Sequence, residues 1–299
     1  MNNAIEPLRP ATPAEIDQLV NIYEQLLPES VQFVSLLQNI VRIKAALQGT
    51  ALEQASHRFR KTIYVPNKTN PIQFATFLAI GMDKTIFVAL NTLEQPPSEL
   101  EDAIRKTSYI KWHHNPRIVV GGDNGIRESL YKVVGERGIL DSINLSSDSI
   151  NYWMHREKGA TFSYDVPDDV ELKPLLVEHA KVIDDLWPYK SNESLRYFET
   201  VIQHNGSLGL FDKRDGQLVA CVIKTDHDGI GHLYTLSERN NRGYGTTLAK
   251  AMAKLIAAEH KQHVHTFIER TNNRSIKLFE KLGFVPVNQA QWFKIGQNQ

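Results

Sequence analysis

The stretch from Gly231 to Lys254, GHLYTLSERNNRGYGTTLAKAMAK, decides how this chain is read: a short apolar strand, a turn of Asn, Arg and Gly, then an Ala-rich helix. A strand that ends in a tight glycine turn and opens a helix aims several backbone N–H groups, and the positive end of the helix dipole, at one spot. Gly243 and Gly245 put no side chain in the way of an approaching group, Asn240 and Asn241 tolerate left-handed backbone, and Thr246 and Thr247 add hydroxyl donors. A phosphate fits that chemistry. The residues after the turn decide between phosphate motifs: no Gly-Lys-Ser/Thr is present, which excludes the P-loop, and the single G-x-G lacks the third glycine of the dinucleotide fingerprint.

The turn Asn240-Asn241-Arg242-Gly243-Tyr244-Gly245 resembles the signature Gln/Arg-x-x-Gly-x-Gly/Ala of the GNAT acyltransferases, with Asn where that family usually has Gln or Arg. Downstream pieces fall in the family's order. His263 to Ile268 reads as an apolar strand, and TNNRSIKLFEKLGF, Thr271 to Phe284, resembles the family helix that is headed by Asn and closes on Leu-Tyr-Glu-Lys-Leu-Gly-Phe. Asn272 and Phe279 keep the family's spacing of seven residues. The resemblance covers roughly the last 130 residues of 299, and the form YTLSERNNRGYG, with the chain length, looks most like the glycine N-acyltransferase-like branch.

The resemblance implies acetyl-CoA or another acyl-CoA as co-substrate. It implies contacts to it from Thr235, Leu236, Ser237, Asn241, Arg242, Gly243, Tyr244, Gly245, Thr246, Asn272 and Phe279. In the family the strand before the turn splays from its neighbour. Leu236 occupies the matching place, so its N–H is the expected donor to the developing oxyanion, an effect of about 3 kcal/mol for one donor.

Many relatives carry a Tyr at the position of Phe279 to protonate the departing sulfur. Phe cannot, which leaves Ser275, four residues earlier on the same helical face, as the expected hydrogen-bond donor. Candidate bases are Asp228, His232, Tyr234 and Glu269, and His232 is preferred because its unperturbed pKa suits the role. His263 and His265 alternate on one strand, but no third ligand stands at a suggestive spacing, so no metal is expected.

Equal numbers of acidic and basic residues, 34 each, without blocks of like charge, give no footprint for nucleic acid or an anionic membrane. The expected partner is a small-molecule amine or amino acid. The single cysteine, Cys221 in LVACVI, excludes an internal disulfide framework and reads as an inert core residue. The N-terminal MNNAIEPLRPATPAEID has no apolar signal core, and no apolar run reaches membrane-spanning length, which points to a soluble, cytoplasmic protein and leaves a mitochondrial one open.

A chain of 299 residues accommodates two domains. Pro13 to Leu27 and Val31 to Leu47 have helical spacing, with Thr12 and Glu15 as a capping box, and both read as amphipathic surface helices. Thr62 to Val65, Ile72 to Ile80 and Thr85 to Leu90 then read as an antiparallel meander. The second half repeats the plan. Val170 to Leu175 is strand-like, Val177 to Leu186 and Leu195 to His204 are helical, and SLGLF, QLVACVIKT and GHLYTL form three strands. There is also a finer echo: Leu130-Tyr131 stands at the same offset from Asn124 as Leu278-Phe279 from Asn272, and Tyr152-Trp153-Met154 rhymes with Gln291-Trp292-Phe293.

The expected fold is α/β (α+β): tandem GNAT-like domains over residues 1–160 and 161–299, each a mixed, mostly antiparallel sheet flanked by helices. The first half has Glu94, Pro96 and Pro97 where the second has its glycine turn. Two prolines remove donors and a glutamate repels phosphate, so the first half reads as a copy without the cradle. Three functions stay open: an acyl-CoA-dependent N-acyltransferase, a catalytically weak acyl-CoA-binding or sensing protein, and an interaction scaffold.

Overall fold

In the computed structural model, which describes residues 5–50, 53, 59–82, 85–122 and 125–296, the order of elements repeats along the chain. The N-terminal half runs β1 (Leu8–Pro10), α1 (Pro13–Glu24), α2 (Val31–Leu47), β2 (Thr62–Pro66), β3 (Phe77–Met82), β4 (Ile86–Asn91), α3 (Ser98–Lys106), β5 (Arg117–Gly121), α4 (Ile126–Glu136) and β6 (Ile143–Met154). After a short α5 (Arg156–Ala160), the C-terminal half runs β7 (Val170–Pro174), α6 (Ala180–Leu186), α7 (Ser194–His204), β8 (Ser207–Asp212), β9 (Leu218–Lys224), β10 (Ile230–Thr235), α8 (Tyr244–Lys254), β11 (Val264–Glu269), α9 (Asn273–Leu282) and β12 (Val285–Ile295). With α5 set aside, each half spells strand, two helices, three strands, helix, strand, helix, strand. The tandem is therefore the architecture, each unit a mixed, mostly antiparallel set of strands with helices. Asn124, which the sequence echo used, lies outside the described residues.

Packing divides the chain at 150/151 instead of 160/161, into residues 1–150 with 288–299 and residues 151–287. The last strand makes the first unit discontinuous. There the sheet runs β1-β2-β3-β4-β5-β12, and β12 pairs antiparallel with β5 from Ala290↔Gly121 to Lys294↔Arg117. Phe293 joins the core formed by Leu90, Ile118, Leu130 and Val133. In the second unit β10 and β11 lie in the order β11-β10-β9-β8-β7, and the end of β6 from Asn151 lies beside β11. The two rhyming tails are thus the strands that close each repeat, and each closes the unit of the other half. A linear pattern shows where a strand is, but not which sheet it completes.

Two local readings change. The helix of Val31 to Leu47 is not a surface helix: Val31 through Leu37 are all buried, including Gln32 and Ser35. Its apolar face meets Leu19 and Tyr23 of α1 and Phe77 and Ala79 of the sheet, while Asn288, at the entry to β12, hydrogen-bonds the Gln32 Oε1 at 3.0 Å. The run Ile72 to Ile80 becomes strand only from Phe77, because the preceding residues form a turn in which Ala75 takes φ 48°. The α1 cap forms as read: Thr12 N–H donates to Glu15 Oε2 at 2.8 Å and Glu15 N–H to Thr12 Oγ1 at 3.3 Å.

In the second unit β9 is buried along nearly its whole length. Cys221 lies within it as a free, buried thiol whose pKa burial pushes up to about 12, so it holds no nucleophilic thiolate. At the end of β9 an ion pair is sealed in. Lys224 Nζ lies 2.8 Å from Asp228 Oδ1 with both side chains at 0 % exposure. The ammonium donates to His260 Nδ1 at 2.7 Å, and Gln262 Nε2 donates to Asp228 Oδ2 at 3.0 Å. This network ties the β9–β10 turn to the chain that enters β11. Removing one partner strands a buried charge, so Lys224→Met should lower unfolding free energy by about 3–5 kcal/mol, while Lys224→Met with Asp228→Asn, which suits the left-handed backbone there (φ 59°) and still accepts from Gln262, should recover part of it. Denaturant titration of the three proteins checks this, and a single variant as mild as an exposed substitution would contradict it.

Candidate functional site

β10 stands between β9 and β11, yet every residue of it after Ile230 is only half-buried, whereas the β9 residues Val219 to Lys224 are all buried. The pairing explains this. Against β9 the strand registers at Ile230↔Lys224, Gly231↔Ile223, Tyr234↔Cys221 and Thr235↔Ala220. Against β11 it registers, parallel, at Ile230↔Thr266. Beyond that point the edge of β10 toward β11 is open. A bulge between Gly231 and Tyr234 places two residues opposite one, and His232 at φ 50° absorbs the turn of the backbone.

Alternation then decides which amides face the opening. Leu236 N–H donates to Val219 O at 2.9 Å, so the amide expected to stabilise an oxyanion is spent within the sheet. Thr235, opposite Ala220 in the adjacent and therefore non-hydrogen-bonded pair, turns its N–H away from β9 and toward the gap. Leu236 therefore lacks the free N–H that its expected role requires.

Past Thr235 the chain makes a short 3-10 turn, Ser237–Arg239, and then takes left-handed backbone at Asn241 (φ 62°) and Gly243 (φ 83°) before α8 begins at Tyr244. Gly243 is the N-cap of α8 and supplies no side-chain cap. The orphan amides of the first turn therefore face out, and a Cβ added at Gly243 would meet nothing within 4 Å. The turn is pinned from two sides, by Arg274 of α9 donating to Asn240 Oδ1 at 2.7 Å and by Thr247 Oγ1 donating to Asp165 O at 3.2 Å. The Thr247 hydroxyl is thus committed to the chain. Tyr244 is buried, with its hydroxyl on Asp169, so only its amide remains for a ligand. Asn241, Arg242, Gly243 and Ser237 are exposed and Gly245 and Thr246 half-buried.

The equivalent place in the first unit is shut. β4 and β5 pair parallel over four registers, Phe87↔Arg117 to Leu90↔Val120. The helix start is filled from within, as Glu99 N–H of α3 donates to the Glu94 carboxylate at 2.6 Å. Glu94 therefore sits where an outside anion would, in addition to the donors lost at Pro96 and Pro97.

The remaining expected residues divide into those that reach the opening and those used by the fold. Asp228, sealed against Lys224, is unavailable as a base. His232 is half-buried among Phe198, Trp187 and Tyr197, with ring centroids at 4.9, 5.2 and 6.1 Å. Glu269, at the end of β11, accepts a hydrogen bond from the Tyr189 hydroxyl, whose pKa burial and that carboxylate push up to about 12. Asn272 is the N-cap of α9, its Oδ1 accepting Ser275 N–H at 3.1 Å. Phe279, 2 % exposed, packs on Phe284 at 5.1 Å. Gly283 at φ 86° lets Phe284 N–H return to Phe279 O at 3.0 Å, so the family's closing Gly-Phe is a helix stop with its apolar contact. Ser275 lies half-buried one turn before Phe279.

His265 is fully buried with Nε2 donating to His227 O at 2.9 Å, and burial lowers its pKa to about 4; His263 stacks on Trp153. Among the described residues no group of three or more His, Cys, Asp or Glu is placed to hold a metal, and no helix is long and apolar enough to cross a membrane.

Residues 207–293 match the FR47-like protein family model, and residues 7–133 match a domain of unknown function, DUF5645. No curated protein matches the chain. A Drosophila protein solved by a structural genomics consortium is similar over 98 % of this chain and 100 % of its own, at 25 % identity and a TM-score of 0.89. A tandem GNAT protein from the clavulanic acid biosynthesis pathway is similar over 98 % and 99 %, at 15 % identity and a TM-score of 0.53. A GCN5-related N-acetyltransferase from Kribbella flavida is similar over 94 % and 96 %, at 13 % identity and a TM-score of 0.54. These likenesses give the fold: both halves of the chain follow a tandem GNAT plan.

Because Asn272 caps α9 through Ser275 N–H, Asn272→Ala should lower the unfolding free energy of the ligand-free protein by about 1 kcal/mol. An unchanged denaturation midpoint would contradict the cap.

Proposed function

We propose that this chain, with the GNAT fold in both halves, is an acyl-CoA-dependent N-acyltransferase with one site, in residues 151–287. The observation that carries the reading is the open edge of β10 leading directly into an uncapped helix start. An extended chain with amides, ending in a diphosphate, fits such an edge: the strand offers alternate N–H and C=O groups, and the turn from Asn241 to Thr246 offers convergent donors at the positive end of α8. When bound, the co-substrate supplies a thioester carbonyl.

The chain's own residues do the rest. The Thr235 N–H faces the gap where that carbonyl would lie and stabilises charge that develops on its oxygen. His232, at the bulge, takes the proton from the attacking amine, and its aromatic neighbours hold the imidazole in place. Ser275 gives the departing sulfur a hydrogen bond in place of the phenol that Phe279 lacks. The resemblance of YTLSERNNRGYG to the glycine N-acyltransferase-like branch supports an amine or amino acid acceptor and an acetyl or other small acyl group.

A second reading is a catalytically weak acyl-CoA sensor. The loss of Asp228 to a sealed ion pair and the Phe at 279 favour it. Turnover against an amine panel separates the two.

Calorimetric titration of the full chain with coenzyme A should give one site. Gly243→Glu should abolish binding with the melting transition retained, since its side chain enters open space where the phosphate would lie. Gly243→Asn, which tolerates the same left-handed backbone, controls for strain. Two sites, or wild-type affinity in folded Gly243→Glu, would sink the assignment.

A further inference from the structure

An aspartate far away in sequence holds the phosphate turn in shape. Asp169, just before β7, receives the Tyr244 hydroxyl and the Arg242 guanidinium, the latter at 3.2 Å from Nη1 to Oδ2. The Arg239 Nη1 stands 4.0 Å from the same oxygen. Arg239 reaches on to Asp212, a carboxylate at 0 % exposure that also takes Arg214 Nη2 at 2.7 Å. Lys213 N–H donates to Asp169 O at 3.1 Å, fixing the backbone that carries the carboxylate. Both arginines of the turn and its tyrosine are therefore held by carboxylates just before β7 and at the end of β8. Asp169 keeps a pKa below the usual carboxylate range, chiefly through the Tyr244 hydrogen bond and with help from Arg242.

A carboxylate beside a phosphate site would ordinarily compete for it, and the first unit shows how: Glu94 places its carboxylate on an amide of α3 and fills the helix start. Asp169 does the reverse. Its contacts go to side chains of the turn, on either side of Gly243, and the backbone amides of the turn stay open. Its charge is matched by Arg242 and, at longer range, Arg239. Tyr244 is the first residue of α8 and Arg242 lies between the two left-handed residues, so one carboxylate holds the bend on both sides of Gly243.

We propose that Asp169 is a positioning residue that preorganises the turn from Asn241 to Thr246, so that its amides converge before a diphosphate-bearing ligand arrives. The identity of the ligand rests on the acyl-CoA reading, while the ordering of the turn does not. Preorganisation improves affinity by removing an ordering cost from the binding step.

The experiment has two arms. In the ligand-free full chain, amide hydrogen exchange in Asn241–Thr246 should speed up in Asp169→Ala and in Tyr244→Phe while the β9 amides stay protected. With coenzyme A as probe, each variant should bind about tenfold more weakly, the equivalent of one lost charge-assisted hydrogen bond, and the double variant should bind no more weakly than either. Asp169→Asn, which keeps an acceptor for Tyr244, should recover part of the loss. Wild-type exchange rates in the turn of Asp169→Ala would overturn the proposal, and so would tighter coenzyme A binding, which would make Asp169 a repelling charge. A wild-type protein that binds no coenzyme A would sink the functional reading alone, and the exchange arm would still decide the role of Asp169.

Discussion

A strand in the middle of a sheet normally pairs along both edges, and β10 does so only at its start. The consequences run through the second unit. Among the described residues β10 registers with β11 only at Ile230↔Thr266, and the ladder between the two strands goes no further. The bulge at His232 and the sealed Lys224–Asp228 pair at the β9–β10 turn lie at the closed end of the divergence, where a rigid anchor holds the strands together. At the other end, left-handed backbone at Asn241 and Gly243 turns the chain into a helix without a side-chain cap. An open strand edge and an open helix start thus follow one another along the chain, separated by the short 3-10 turn Ser237–Arg239.

The first unit is an internal control, because the same order of elements builds a place with neither opening. There β4 and β5 stay zipped over four registers, and Glu94 caps the next helix. The difference therefore lies in a few residues at one junction.

Much of this was legible in the sequence. Glycines at 243 and 245 between an apolar run and an Ala-rich run specify a turn and a helix start, and the prolines and Glu94 announce their absence in the first half. Three things were not legible. The exchange of the closing strands depends on which sheet completes which core, and the tails rhyme in both halves. The parity of β10 depends on a bulge, which shifts every later side chain and amide by one, so the free N–H belongs to Thr235 and that of Leu236 pairs with Val219. Asp169 carries no local signal at all, because its partners lie 73 and 75 residues away.

The central claim is that the open edge of β10 and the turn after it form one ligand-binding row. Titrating 15N-labelled protein with acetyl-CoA and tracking backbone amide resonances tests it residue by residue. The account predicts that Thr235 and Gly243 to Thr246 shift together, while Leu236 and the paired amides of β4 and β5 stay in place. Saturating shifts confined to the first unit, or shifts in the turn with none at Thr235, would contradict it.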